Sequence, residues 1–132
     1  MAEQCVIDPA TWNSLLESVG GDVEFMAELV ETYFDDSPRL LAAMQAALSA
    51  GDAEDLRRAA HSLKSNSASF GAMRLSKKCK ELEDMGKAGV LECAAEQIRY
   101  AVAEYEKARA ALETIQRDGQ HGEQPWTHSG SG

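Results

Sequence analysis

Large apolar residues recur at intervals of three and four along most of the chain, which is the spacing of one face of an α-helix. The longest such run lies between Asp22 and Gly51. Its apolar positions are Phe25, Met26, Leu29, Val30, Tyr33, Phe34, Leu40, Leu41, Met44 and Leu48. No stretch alternates apolar and polar residues as a half-buried strand does, and the low share of aromatic residues, 6%, also favours helix. The chain is therefore predicted to be all-α.

Capping residues and glycines predict where the helices begin and end. A short first helix follows Asp8, an N-cap residue ahead of a proline at the first helical position, and it stops at Gly20. The long second helix begins after Asp22, but Pro38 predicts a kink in it, or a break into two helices at residues 36–37. Three further helices are predicted at residues 52–71, 72–87 and 90–116.

The lengths of these helices and of their connections predict the architecture. Four substantial helices joined by short loops are typical of an antiparallel four-helix bundle, and the additional short N-terminal helix is expected to cover one end. The bundle is predicted to form one domain, residues 7–116. Residues 117–132 lose the apolar spacing and are rich in glycine and polar residues, which predicts a disordered polar C-terminal tail.

The composition argues against several classes of function. A net charge of −9 and an isoelectric point near 4.7 disfavour nucleic-acid binding, because lysine and arginine must neutralise phosphates in such a complex. No apolar run approaches the roughly 20 residues that span a bilayer, and the N-terminus lacks the pattern of a secretory signal. We therefore expect no membrane insertion and a cytoplasmic location. The three cysteines, with no CxxC spacing, predict neither a disulfide framework nor a zinc site.

The stretch HSLKSNSASFG, residues 61–71, lies in the predicted third helix and has two faces on a helical wheel. His61 lies on one side of this wheel, about 140° from Leu56. The opposite face is predicted to be buried, and within roughly 40° of Leu56 it comprises Ala60, Leu63, Ser67 and Phe70. The histidine is therefore predicted to be exposed rather than a core residue.

The residues beside His61 make it a candidate nucleophile. The wheel places three cations and no acid around it, and the small neighbours Ser65 and Ala68 leave room for a partner. These cations are Arg57, Arg58 and Lys64. A neutral imidazole nitrogen is available near neutral pH to attack a phosphoryl group, whose oxygens Lys64, one turn on, would neutralise. For either residue alone, a merely exposed histidine or a solvated lysine is the simpler reading.

The segment AAHSLKSNSASFGAMRL, residues 59–75, resembles the signature of histidine-containing phosphotransfer (HPt) domains of multistep phosphorelays. The matching features are His61, Lys64, small residues at 65 and 67, Gly71 and the apolar helix that follows. The upstream helical pattern is similar to the family as well, so the resemblance covers about residues 7–115. Many members have glycine directly after the lysine, where this chain has Ser65.

The resemblance implies a four-helix bundle that carries a phosphoryl group as phosphohistidine. His61 would accept the group from the aspartyl phosphate of one receiver domain and pass it to another, with Lys64 stabilising the phosphate. The domain would be a phosphocarrier rather than an enzyme, with no cofactor or metal of its own, because Mg²⁺ belongs to the partner. Its partners would be response-regulator receiver domains and a hybrid sensor histidine kinase, and it would act as a monomer.

Residues around His61 are expected to contact the receiver. The cations among them would complement the acidic rim of a receiver's phosphorylation site. The predicted partner-binding residues are Arg57, Arg58, Ser65, Ala68, Gly71 and Ala72. Trp12, Leu15 and Leu16 of the first helix either extend this surface or pack into the bundle, and the sequence leaves both possibilities open.

Three other functions stay open at the level of sequence. A kinase-type phosphoacceptor domain would share the exposed histidine but take phosphate from ATP through another domain; a complete histidine kinase is disfavoured because the chain has no Gly-rich phosphate loop. A phosphatase or another enzyme is disfavoured because no acids and histidines cluster at metal-ligand spacing, and His121 and His128 in the tail are expected to be inert. A purely structural bundle is the third, although the intact His61 and Lys64 argue against it.

Overall fold

A computed structural model describes residues 6–119, which are helical apart from short connections and the first residues. The five helices are α1 (Pro9–Ser18), α2 (Val23–Ala50), α3 (Ala53–Phe70), α4 (Met73–Ala88) and α5 (Ala94–Gly119). The prediction of an all-α bundle with a short additional N-terminal helix is confirmed. Within residues 6–119, no helix combines the length and the apolar character that crossing a membrane requires.

Local capping interactions explain why the helices begin and end where the sequence predicts. Asp8, Asp22 and Asp52 each accept a hydrogen bond from the backbone N–H three residues later, over 3.1, 3.0 and 3.0 Å. Each of these bonds satisfies one N–H that has no partner inside the helix. Gly51 (φ 70°) and Gly71 (φ 89°) end α2 and α3 in the left-handed conformation, which costs glycine little.

Pro38 does not break the second helix. Helix α2 continues through it for 28 residues, so the predicted alternative of two helices with a break at residues 36–37 is wrong. Proline removes one backbone hydrogen bond and costs roughly 3 kcal/mol inside a helix. Buried residues on both sides of it, Phe34 and Leu41 among them, hold the two halves against the same core, and this packing offsets the loss.

The last helix differs from its prediction at both ends. It begins at Ala94 rather than near residue 90, after a turn in which the Ala94 N–H donates to the Leu91 carbonyl over 3.1 Å. It continues to Gly119, so residues 117–119 are helical and not part of a disordered tail. Arg117 lies in the last turn, where a cation interacts favourably with the helix dipole. The rest of the predicted tail lies outside the described residues.

The four long helices surround one apolar core. Helices α2 and α4 each contact both α3 and α5, which closes a ring of four. The fully buried large side chains are mostly apolar and include Met26, Val30, Met44, Leu56, Leu63, Leu75, Leu82, Ile98 and Leu112. Cys79 is also a core residue. Burial raises the pKa of its thiol to about 12, so the reactive thiolate is scarce near neutral pH.

One tyrosine links three of these helices at the centre of the bundle. The Tyr33 hydroxyl of α2 shares a 2.8 Å hydrogen bond with the Ser67 hydroxyl of α3. Its ring packs 4.9 Å from the ring of Phe70 and 5.9 Å from that of Tyr105 of α5, measured between centroids. The contact fixes the buried face of α3, and therefore also fixes which residues of α3 face outward.

Helix α4 approaches α3 closely because glycine stands at the crossing. A Cβ on Gly86 would lie 2.8 Å from both the Ala53 carbonyl oxygen and the Arg57 backbone nitrogen, which a side chain does not tolerate. At the other end of the pair, the Ser76 hydroxyl donates to the Lys64 carbonyl over 3.1 Å. The two helices thus run antiparallel and in close contact, and residues in the middle of α4 reach the outer face of α3.

Candidate functional site

His61 projects from α3 into solvent, as the helical wheel predicts. Its side chain is 53% exposed. The opposite face of the helix is buried, with Leu63 and Ser67 fully covered and Phe70 nearly so. The imidazole is therefore accessible to another protein, while the rest of its helix is fixed by the core.

A buried carboxylate from the neighbouring helix holds the imidazole. Glu83 of α4 is only 4% exposed, and its Oε2 lies 2.9 Å from His61 Nδ1. The Lys64 ammonium donates to the other oxygen, Oε1, over 2.6 Å. One acid therefore binds both residues that the sequence singles out, and it connects them across the α3–α4 interface.

The same contact determines which ring nitrogen faces a partner. The hydrogen bond from Lys64, and next that from His61, hold the pKa of Glu83 at about 2, so its carboxylate is ionised at neutral pH. An ionised carboxylate only accepts hydrogen bonds, so Nδ1 of His61 must carry the proton. Nε2 of the neutral ring then carries the lone pair and is the nucleophilic atom.

The helical wheel places no acid beside the three predicted cations, but in the structure each of them pairs with a glutamate. Arg57 and Arg58 both pair with Glu54, at 2.6 and 3.4 Å, and Lys64 pairs with Glu83. A wheel of residues 56–72 does not include Glu54, which stands one turn before the arginines. Both arginines remain partly exposed, and exposed pairs of this kind contribute little energy, so a partner's charges can compete for them.

The other predicted partner-binding residues fall into two groups. Ser65 is exposed and Ala68 is half-buried, both on the outer side of α3, so they remain candidates for contact. Gly71 and Ala72 are buried, so little of either is exposed, and their contact with a partner stays a prediction. Gly71 packs against α1: its carbonyl accepts from the Asp8 N–H over 2.8 Å, and a Cβ on it would lie 2.9 Å from the Asp8 carbonyl oxygen.

The three candidate contact residues of α1 also fall into a buried group and a partly exposed group. Trp12 is buried and belongs to the core, so of the two possibilities that the sequence leaves open the structure favours packing. Leu15 and Leu16 are half-buried and pack at the edge of the core. Their remaining exposed surface leaves a contact with a partner possible.

Sequence reasoning did not identify Glu83. The spacing of the apolar residues of α4 predicts a buried stripe of Leu75, Cys79, Leu82 and Met85, but the buried residues are Leu75, Cys79, Leu82, Glu83 and Gly86. A signal was present: Glu83 stands four residues after Cys79, so it lies on the buried side of α4. Acids are almost never buried without a partner, and a basic residue opposite it was to be expected.

Acid is expected to weaken the fold through Glu83. The pKa of this carboxyl is about 2 in the folded chain against an ordinary value of 4.5, so the unfolded state binds its proton more readily. Its stabilising contribution is complete above about pH 4.5 and is lost as the pH falls toward 2. Glu83→Gln should therefore flatten the dependence of the unfolding free energy on pH over this window, which denaturant titrations at several pH values measure.

Glu54 provides a control for that measurement. Its pKa is also about 2, chiefly because of the hydrogen bond from Arg57, but this pair is exposed. Salt at about 1 M should screen the exposed pair and leave the buried one largely intact. If the parent chain and Glu83→Gln show equal slopes at high salt, Glu83 does not have the paired, ionised state described above.

Comparisons with known proteins give one consistent result. The profile of the Hpt domain family matches residues 28–118. The chain is similar to Multistep phosphorelay regulator 1 of Schizosaccharomyces pombe, at 32% identity over 98 residues, which is 70% of this chain and 33% of that protein. The chain thus spans about a third of the length of this curated relative.

A solved structure is similar over nearly its whole length. It is the crystal structure of histidine-containing phosphotransfer protein B (HptB) from Pseudomonas aeruginosa PAO1. The two share 32% sequence identity with a TM-score of 0.80, and the alignment covers 88% of this chain and 98% of the other. The helical bundle described above is therefore also the fold of that protein.

Proposed function

The chain belongs to the Hpt domain family of histidine phosphotransfer proteins, and from this premise we propose that His61 carries the phosphoryl group between two receiver domains. The family is one of phosphocarriers, not of kinases. Donor and acceptor are receiver domains that hold the phosphoryl group on an aspartate. A hybrid sensor histidine kinase is the natural source of the first of them.

One observation supports this proposal most strongly. The exposed imidazole donates its Nδ1–H to a buried, ionised carboxylate, so in the neutral ring the lone pair lies on Nε2, on a side chain that is 53% exposed. A histidine that is exposed by chance has no need of such a partner, and burying a carboxylate is costly unless it is paired. The arrangement is that of a nucleophile oriented by a second group.

The chemistry follows from this arrangement. The lone pair of Nε2 attacks the phosphorus of the aspartyl phosphate, a P–N bond forms, and the P–O bond to the aspartate breaks with its electron pair left on the aspartate carboxylate. The imidazole keeps its Nδ1 proton and gains a positive charge. Glu83 lies 2.9 Å from that proton and stabilises the charge as it develops. The reverse reaction passes the group to the next receiver.

Lys64 is placed to assist the transferred group. It stands one turn after His61 on the outer side of α3, and its side chain is 26% exposed. An ammonium has three donors, and the contact with Glu83 at 2.6 Å uses one of them. The others are available to the phosphoryl oxygens, whose negative charge the lysine offsets.

The surface around His61 would meet the acidic phosphorylation site of a receiver. Arg58 and Ser65 are exposed and Ala68 is half-buried, so the histidine is bordered by a cation and by small side chains. The small side chains let the receiver approach the ring closely. Mg²⁺ would be supplied by the receiver, whose own carboxylates bind it.

A transfer assay tests the proposal. The chain is mixed with a receiver domain carrying ³²P on its aspartate, and a second, unlabelled receiver is then added. We expect a label on the chain that is labile to acid and stable to base, followed by its appearance on the second receiver. If receivers never donate label, and label appears only when the ATP-binding domain of a histidine kinase is added, the chain is a kinase-type phosphoacceptor domain instead.

A further inference from the structure

We propose that Lys87 replaces Lys64 as the counter-ion of Glu83 when His61 is phosphorylated. The inference rests on the proposed function only in that His61 carries a phosphoryl group. It assigns a role to a residue of α4 that the transfer mechanism above does not use. Lys87 is a positioning residue in this scheme, because it acts through Glu83 and not on the reacting atoms.

Three cationic or hydrogen-bonding side chains surround the Glu83 carboxylate, and one of them, Lys87, is too far away to form a hydrogen bond with it. His61 Nδ1 lies 2.9 Å from Oε2 and Lys64 Nζ lies 2.6 Å from Oε1, and both distances are those of charge-assisted hydrogen bonds. Lys87 Nζ lies 3.9 Å from Oε2. That distance is short enough for an ion pair but too long for a hydrogen bond.

Phosphorylation of His61 gives the Lys64 ammonium new hydrogen-bond acceptors. A phosphoryl group on Nε2 brings nearly two negative charges and several strong acceptor oxygens to the outer face of α3. Lys64 is the lysine of that face nearest in sequence to His61, one turn on. As its other donors turn to the phosphate, the contact of Lys64 with Glu83 Oε1 weakens, and the His61 ring becomes the one close partner left to the carboxylate. A buried carboxylate that loses part of its pairing is unfavourable.

Lys87 is placed to supply a positive charge to the Glu83 carboxylate. It stands four residues after Glu83 on α4, so the two side chains share one face of the helix. Its side chain is 56% exposed, and it can close the remaining distance by rotamer changes without moving the backbone. Lys80 and Arg57 also interact with the charge of Glu83, but each is hydrogen-bonded to another carboxylate, Lys80 to Asp84 at 2.8 Å and Arg57 to Glu54 at 2.6 Å.

A direct measurement uses NMR of the lysine ammonium groups in the ¹⁵N-labelled chain. His61 is phosphorylated with phosphoramidate, a small donor whose P–N bond to ammonia is exchanged for one to the ring while ammonia leaves. We expect hydrogen exchange at Lys87 Nζ to slow about tenfold or more on phosphorylation, because its protons become bonded to Glu83. Lys80 Nζ is the matched control on α4 and should not change.

Variants give the second readout, the equilibrium between phosphorylated chain and phosphorylated receiver. Lys87→Met should lower the equilibrium constant for transfer from the receiver to the chain about three- to tenfold. Lys87→Arg should restore it. In the Glu83→Gln background, Lys87→Met should have no effect, because no buried charge needs a counter-ion. Lys80→Met should leave the equilibrium unchanged in both backgrounds.

The result that overturns the inference is specific. If phosphorylation leaves hydrogen exchange at Lys87 Nζ unchanged, Lys64 bridges Glu83 and the phosphate at once and no counter-ion is exchanged. Equal effects of Lys87→Met with and without Glu83 would show that Lys87 acts on the phosphate or on docking. Because phosphoramidate needs no receiver, a chain that no receiver phosphorylates would contradict the proposed function while the NMR experiment still decides this inference.

Discussion

The His61→Gln variant is expected to take up no acid-labile phosphoryl label from a phosphorylated receiver while keeping the fold of the parent chain. Glutamine has no ring nitrogen with a free lone pair, so the transfer has no nucleophile. The fold should persist because the side chain at this position is 53% exposed and contributes nothing to the core. The glutamine amide can still donate to Glu83, so the buried carboxylate keeps a partner.

The test of this variant needs two measurements and one control. Receiver-dependent labelling measures function, and thermal unfolding should show a stability close to that of the parent, as for most surface substitutions. The chain offers a matched control in His121 and His128, and replacing both by glutamine should leave labelling intact. Acid-labile label on His61→Gln comparable to that of the parent would move the phosphorylation site elsewhere.

Glu83→Gln is expected to slow transfer to His61 by roughly 10–100-fold, by analogy with the cost of losing the hydrogen-bonded partner that orients a metal-bound histidine. Glutamine keeps the size of the side chain but removes its charge, so the positive ring that forms during transfer loses its stabilising partner. The amide can also donate to Nδ1 of His61, which favours the tautomer with Nε2 protonated and inactive. Both effects act on the chemical step.

Single-turnover kinetics separates that step from docking. Transfer is followed at increasing receiver concentration, and we expect Glu83→Gln to lower the limiting rate while the half-saturating concentration stays similar. Glu81→Gln is the matched control, because Glu81 stands two residues away on α4 and contacts Lys78 instead. A limiting rate in Glu83→Gln equal to that of Glu81→Gln would mean that the carboxylate does not orient or stabilise the imidazole.

The sequence predicts those parts of the fold that depend on local interactions along one helix. The N-cap aspartates, the left-handed glycines and the buried stripe of α3 follow from such patterns, and the exposure of His61 follows from the stripe. The start of α5 at Ala94 and its end at Gly119 were misplaced, because weakly specified ends depend on turn geometry and on the last few residues.

What the sequence could not supply is the pairing between helices. Glu83 reaches His61 only because Gly86 lets α4 approach α3, and a wheel of one helix contains neither fact. Gly71 is assigned a partner contact from the sequence, but its close approach to Asp8 of α1 is a contact between helices that the sequence does not indicate. Pro38 shows the converse, since a local rule that favours a break yields to tertiary packing.

Identifying the nitrogen atom that carries the phosphoryl group tests most directly whether Glu83 presents Nε2 of His61 to a receiver. The chain is labelled with ¹⁵N-histidine, phosphorylated by a receiver and observed through the coupling between ³¹P and ¹⁵N. We predict that phosphorus couples to Nε2 of His61 and that Nδ1 keeps its proton. Phosphorus bound to Nδ1 of His61, or to any other residue, would contradict this mechanism.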